Sequence, residues 1–269
     1  MTDTPRKLRL AVLLSGGGTN LQALLDRSAA GTLLADLVVV ASDRPDAHGL
    51  TRAREAGVPA HVVDYKAHLT GELSGTVPVD IEALDRRQQI LKTQPDEKRL
   101  ERLFRLVKAE DELIRILDAY QPDLICLAGF MRLLTPFFLG HYHTDGARRV
   151  LNIHPALLPA FPGQHGYEDT FDYGCKWGGI TIHFADEGED TGPILAQAVY
   201  PIRPDDTVED VRKRGLQLEY EMYAQCINWL ARGQVEWRQS RTGKIHTAIS
   251  DPDYPAVLKS WVEKAFQSA

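Results

Sequence analysis

Cysteine is scarce in this 269-residue chain: Cys126, Cys175 and Cys226 are odd in number, far apart and never in a C-x-x-C pair. That count and spacing argue against a disulfide framework and against a thiolate metal site. Long apolar runs are missing too, and no segment approaches the roughly 20 apolar residues that cross a bilayer. The opening Met1-Thr-Asp-Thr-Pro-Arg-Lys7 has no apolar core of secretory type. Acidic residues outnumber basic ones, giving a formal charge of −6, which argues against non-specific nucleic-acid binding but leaves room for a local basic pocket. No H-E-x-x-H or comparable ligand spacing occurs, so His141, His143, His165 and His183 do not read as a zinc site. The expectation is a cytoplasmic protein with no metal, no membrane and no nucleic acid among its partners; the sequence leaves a homodimer open.

What is present alternates. Leu8 to Leu14, Leu37 to Ala41, Ala60 to Val63 and Leu124 to Leu127 are short apolar runs of the kind that form buried strands. Helical periodicity follows the first over Leu21 to Arg27 and the second over Gly49 to Ala56. Further strands are expected at Val150 to His154, Gly179 to Phe184 and Ile194 to Ile202. Repeated strand–loop–helix units predict an α/β fold, a doubly wound, mostly parallel Rossmann-like sheet with ligands at the carboxyl ends of its strands. Residues from about Lys66 to Glu110 break the rhythm with loop chemistry and two charged helices separated by Pro95, an inserted helical segment. A long helix from Thr207, its expected cap, runs to about Leu230. Beyond Gln234 the chain is polar, with one helical stretch from Pro255 to Phe266.

Four features carry chemistry. Ser15-Gly-Gly-Gly-Thr-Asn20 joins the first strand to the first helix, where backbone N–H groups and the helix dipole suit a phosphate monoester; a tight turn without ligand is the plainer alternative. Leu151-Asn-Ile-His-Pro155 ends a strand, and alternation puts Asn152 and His154 on one face, about 6.6–6.8 Å apart. An amide donor beside an imidazole suits acyl transfer, although the pair could also simply satisfy a turn before Pro155. Asp186-Glu-Gly-Glu-Asp-Thr-Gly-Pro193 is an acidic loop, ordinarily solvated, from which one carboxylate could orient His154 and raise its pKa. Glu219 falls within or beside the core-facing stripe of Val208, Val211, Gly215, Met222 and Cys226. A carboxylate there needs a partner, either a substrate group or a surface arginine.

Taken together these residues resemble the folate-dependent formyltransferases, most of all those acting on glycinamide ribonucleotide. The likeness runs in order through Ser15–Gln22, Ser42–Leu50, Leu127–Leu134, Leu151–Pro159, Phe161–Gly163, Thr181–Phe184 and Asp190–Pro193. The resemblance implies a formyltransferase fold and 10-formyltetrahydrofolate as co-substrate, with no metal. It implies that Asn152, His154 and Asp190 are catalytic, that Gly17, Gly18, Thr19 and Asn20 hold the acceptor phosphate, and that Glu219 binds the acceptor. Met131, Arg132, Leu133, Leu134, Ala185, Asp186, Glu187 and Glu189 would line the folate pocket. Protonated His154 and Asn152 would stabilise the oxyanion while Asp190 supports the imidazolium. The resemblance divides one domain into a phosphate-binding half (about 1–125, with the insertion about 66–110), a catalytic half (about 126–232) and an extension (about 233–269).

Two departures from the family pattern stand out. The 66–110 segment is longer than usual, and Arg99, Arg102 and Arg105 are its candidates for an arginine on the acceptor phosphate. The stretch Gly166 to Gly174 also differs. Alternatives within the fold are a 10-formyltetrahydrofolate hydrolase or transfer to another phosphorylated amine.

Overall fold

A computed structural model describes residues 6–144 and 146–267. Strands β1 (Leu8–Leu14), β2 (Ala35–Ser42), β3 (Ala60–Val62), β4 (Leu124–Leu127), β5 (Val150–His154), β6 (Trp177–Phe184) and β7 (Ile194–Pro201) form one sheet. Its order is β3-β2-β1-β4-β5-β6-β7. Pairings from β3 to β5 are parallel, whereas β6 pairs antiparallel with both β5 and β7. The helices are α1 (Thr19–Ala29), α2 (His48–Glu55), α3 (Tyr65–Thr70), α4 (Ile81–Arg87), α5 (Asp96–Asp118), α6 (Pro136–Tyr142), α7 (Gly166–Asp172), α8 (Val208–Ala231) and α9 (Tyr254–Gln267).

Strand alternation builds two cores. Leu10, Val12 and Leu14 of β1 face one core with α1, α2 and α8, while Ala11 and Leu13 face the other with α5 and α6. The strand order reverses between β1 and β4, which opens a crevice at their carboxyl ends. The glycine loop leaves β1 there, and Met131 to Leu134 follow β4. The expected doubly wound sheet is therefore observed, with bounds shifted by a few residues at β2, β6 and β7.

The helical segment is present as α3, α4 and the start of α5. Helix α5 continues to Asp118 with Leu103, Leu106, Val107, Leu113 and Leu117 buried, so it is the crossover from β3 to β4. Thr207 caps α8 in a full capping box with Asp210. Past α8 the chain forms a hairpin, β8 (Val235–Gln239) with β9 (Ile245–Ile249), which the polar composition of this tail does not signal. Trp237 of β8 packs on Phe184 at 4.9 Å, and α9 puts Trp261 against Trp229 at 5.7 Å.

Candidate active site

Asn152 and His154 emerge side by side from the carboxyl end of β5, as the alternation required. His154 is 3% exposed. Its Nδ1 lies 3.3 Å from Asp190 Oδ2 and its Nε2 lies 2.8 Å from the Phe161 carbonyl. Asp190 reaches in from the acidic loop with a left-handed backbone (φ 53), a conformation that Asp tolerates better than most residues. The Gly163 N–H donates to Asp190 Oδ2 at 2.8 Å, and Asn152 Nδ2 donates to Oδ1 at 3.4 Å.

A fourth member was missed from the sequence. Register across β5 and β6 sets His183 opposite Asn152, with His183 Nε2 3.1 Å from Asn152 Nδ2 and 3.4 Å from Asp190 Oδ1. Its one signal in the sequence is its place in the Thr181–Phe184 stretch of the resemblance, and strand pairing is needed to set it beside Asn152.

Burial opposes ionisation of Asp190, but the His183 bond, the Gly163 N–H and neighbouring His154 outweigh it and hold the carboxyl below its ordinary range. For His154 the balance is opposite to the expectation. Burial pushes the imidazole below its ordinary value, and Asp190 and the Phe161 carbonyl only partly counter it. The resting imidazole is therefore mainly neutral at pH 7.

These groups line a cavity of about 400 Å³ together with Met131, Arg132, Leu133, Leu134, Ala185, Asp186, Glu189, Asn20 and Glu219. That volume is within the range of small-molecule sites. Met131 and Leu133, 44% and 40% exposed, present apolar surface to this cavity. Glu187 stands apart from the lining and pairs with Arg87 of α4 at 2.8 Å.

Glu219 is buried on α8 and has two protein partners. Asn20 Nδ2 donates to Oε2 at 2.6 Å and the Tyr167 hydroxyl donates to Oε1. Burial pushes the Glu219 carboxyl up, while those two donors and Arg212 pull it back. Tyr167 lies in the stretch that departs from the family pattern; its ring fills the space over Gly215, where an added Cβ would sit 2.3 Å from it. Asn20 Oδ1 is buried and has no partner among the described residues. Gly17, Gly18 and Thr19 do not line the cavity; they border it through Asn20.

None of the three candidate arginines of the 66–110 segment is found on the glycine loop. Arg99 is paired with Asp85 and Asp96, Arg105 is bound to Glu101 and to the carbonyls of His68 and Gly71, and Arg102 is exposed on α5. The physical reason is that α5 lies under the other face of the sheet from α1. Arg52 of α2 is on the loop instead, donating to Gly17 O at 2.9 Å. His141 and His143 are engaged with Asp118 and the Ala185 carbonyl.

The formyl transferase family model matches residues 8–227. A phosphoribosylglycinamide formyltransferase of Escherichia coli K12 is 33% identical over 233 residues, 87% of this chain and 92% of that protein. A trifunctional purine biosynthetic protein of Drosophila melanogaster is 36% identical over 85% of this chain, which spans only 14% of that protein's length. Among solved structures, a glycinamide ribonucleotide transformylase 1 from Symbiobacterium toebii superposes with a TM-score of 0.71 at 36% identity, over 93% of this chain and 98% of that one.

Proposed function

The chain belongs to the formyl transferase family, and we propose that its cavity moves the formyl group of 10-formyltetrahydrofolate onto the amine of glycinamide ribonucleotide, a step of purine biosynthesis. One observation carries this reading: Asn152, His154 and Asp190 meet in the same cavity as Asn20 and Glu219. The first three suit acyl transfer, and the last two suit a hydroxylated acceptor.

The two substrates fit opposite ends. Met131, Leu133 and Leu134 offer apolar surface to a flat ring, with Arg132, Ala185, Asp186 and Glu189 around it. At the other end, Asn20 Oδ1 and the Glu219 oxygens accept from ribose hydroxyls, and Gly17, Gly18 and Thr19 turn toward the phosphate. The N–H groups of Gly17 and Gly18 donate to no group among the described residues. Together with the α1 dipole they suit a phosphate.

The acceptor amine attacks the formyl carbon, and the carbonyl electrons move to oxygen. That oxyanion accepts from Asn152 Nδ2 and from His154 Nε2–H, which exchanges the Phe161 carbonyl for it. Both ring neighbours are acceptors, the Phe161 carbonyl at 2.8 Å from Nε2 and Asp190 Oδ2 at 3.3 Å from Nδ1, and the shorter contact favours the proton of the neutral ring on Nε2. Negative charge growing beside Nε2, with Asp190 beside Nδ1, then favours the imidazolium that burial otherwise disfavours. The proton lost by the attacking nitrogen passes by way of Asp190 and His154 to N10 of the folate. The bond from the formyl carbon to N10 breaks as N10 takes it. Small molecules are the partners on this reading, and the cytoplasm is the setting.

The test is a steady-state assay with 10-formyltetrahydrofolate, with and without glycinamide ribonucleotide, following the deformylated folate. Release that depends on the acceptor is expected. Release without acceptor would replace this reading with hydrolysis, and no release in either case would refute both.

A further inference from the structure

The segment Ser42 to Leu50 belongs to the resemblance but has no role in the chemistry above. In the structure it leads into α2, whose first turn is pressed against the glycine loop. An added Cβ on Gly18 would lie 2.7 Å from Gly49 Cα, and one on Gly49 would lie 2.5 Å from Leu14 Cδ2. No side chain separates loop from helix. Across that contact the Gly49 N–H donates to Gly16 O at 3.0 Å. One turn later Arg52 Nε donates to Gly17 O at 2.9 Å, and Arg52 Nη1 donates to Gln22 Oε1 at 2.9 Å. The guanidinium fork therefore ties the loop to the first turns of α1.

Peptide geometry sets the consequence. In a trans peptide unit the C=O and the next N–H point in opposite directions. Holding Gly16 O from α2 turns the Gly17 N–H away from α2, and holding Gly17 O turns the Gly18 N–H the same way. Gly18 adopts the left-handed conformation (φ 70, ψ 36), which suits a chain turning so that consecutive N–H groups converge on one side. Both carbonyls that would repel an anion are engaged from behind.

We propose that Arg52 is a positioning residue for acceptor binding: from α2 it fixes the Gly17–Gly18 peptide so that its N–H points at the acceptor's phosphate. The role rests on the reading of the glycine loop as the phosphate site. Arg52 acts through the loop, so it influences binding of the phosphorylated acceptor and not formyl transfer itself. The lysine variant preserves the charge but cannot reproduce the two-point fork from Nε and Nη1. Charge alone and orientation are therefore separable.

The experiment compares wild type, Arg52→Lys and Arg52→Met by four constants: the acceptor KM with glycinamide ribonucleotide, the folate KM, kcat, and the competitive inhibition constant of inorganic phosphate. Arg52→Met is expected to raise the acceptor KM and the phosphate inhibition constant together by about tenfold, the scale of one lost charge-assisted hydrogen bond. Arg52→Lys is expected to fall between it and wild type. The folate KM and kcat should stay within about twofold, an outcome that a general loss of fold would not produce. Gln22→Ala, which frees one arm of the fork at a half-buried site, is expected to give a smaller rise in the same two constants. An unchanged acceptor KM in all three variants would overturn the role of Arg52. If inorganic phosphate fails to compete with acceptor even in wild type, the phosphate reading of the loop fails instead.

Discussion

Asp190→Asn isolates the electrostatic role of the acidic loop with little change of shape. Asparagine tolerates the left-handed backbone at φ 53, and its Oδ1 can still accept from the Gly163 N–H. What disappears is a negative charge 3.3 Å from His154 Nδ1. At an effective dielectric of about 20, two unit charges at that distance attract by about 5 kcal/mol. This is an upper bound on how much more strongly Asp190 holds imidazolium than imidazole. Each factor of ten in rate corresponds to about 1.4 kcal/mol, so a fall in kcat of about 10²–10⁴ is expected. The acceptor KM should change little, because Asn20 and Glu219 are untouched. A second signature is the pH profile. With His154 required neutral before attack, kcat/KM rises with pH through a value below 6.5 and levels off near neutrality. Asp190 raises the imidazole's pKa, so its removal moves that acid limb to lower pH. Steady-state folate release between pH 5 and 9, with thermal unfolding as a folding control, checks both effects. A variant that kept more than about a tenth of the wild-type kcat with an unmoved limb would refute the coupling.

Two further outcomes follow from the same geometry. Asn152→Ala removes an oxyanion donor and should lower kcat by about 10²–10³ with smaller changes in either KM, measured by the same assay. Glu110 lies buried beneath Thr135, whose N–H and hydroxyl both donate to it, and burial pushes its carboxyl up to about 8 despite those bonds. The folded state thus keeps a proton that the unfolded chain releases near 4.5, so stability falls as pH rises from about 4.5 to about 8. Glu110→Gln should flatten that decline by about 10–20 °C of Tm, since about 3.5 pH units at about 1.4 kcal/mol each meet roughly 2–4 °C per kcal/mol for a chain of this size. An identical slope of Tm against pH in mutant and wild type would refute it.

Much of the fold was legible because its central strands are buried on both faces. Leu8–Leu14, Leu124–Leu127 and Val150–His154 are apolar runs whose ends in the sheet match the ends of the runs. The cap at Thr207 was equally readable, since a capping box is local chemistry. The β8–β9 hairpin was not readable. Its strands are mostly exposed, and the partner that holds Trp237 is Phe184, more than fifty residues away. Alternation on one strand was enough to place Asn152 and His154 together. It could not bring in His183, whose role depends on the β5–β6 register, nor show that burial outweighs Asp190 at His154.

The arginine on the glycine loop shows most clearly where sequence reasoning ran out. The resemblance implies an arginine on the acceptor phosphate from the 66–110 segment, with Arg99, Arg102 and Arg105 as its candidates. The right-handed crossover from β3 to β4 carries α5 to the face of the sheet opposite α1, and there Arg99 and Arg105 are taken up by neighbours. Helix α2 follows the adjacent strand on the α1 side, so its first turns are the ones that can reach the loop. The tight contact of Gly18 with Gly49 then brings Arg52, one helical turn beyond Gly49, within hydrogen-bond distance of Gly17 O. Arg52 holds a carbonyl of the loop, and which arginine reaches the loop is decided by which face of the sheet each helix covers. That is a property of the winding, and no local pattern in the sequence reports it.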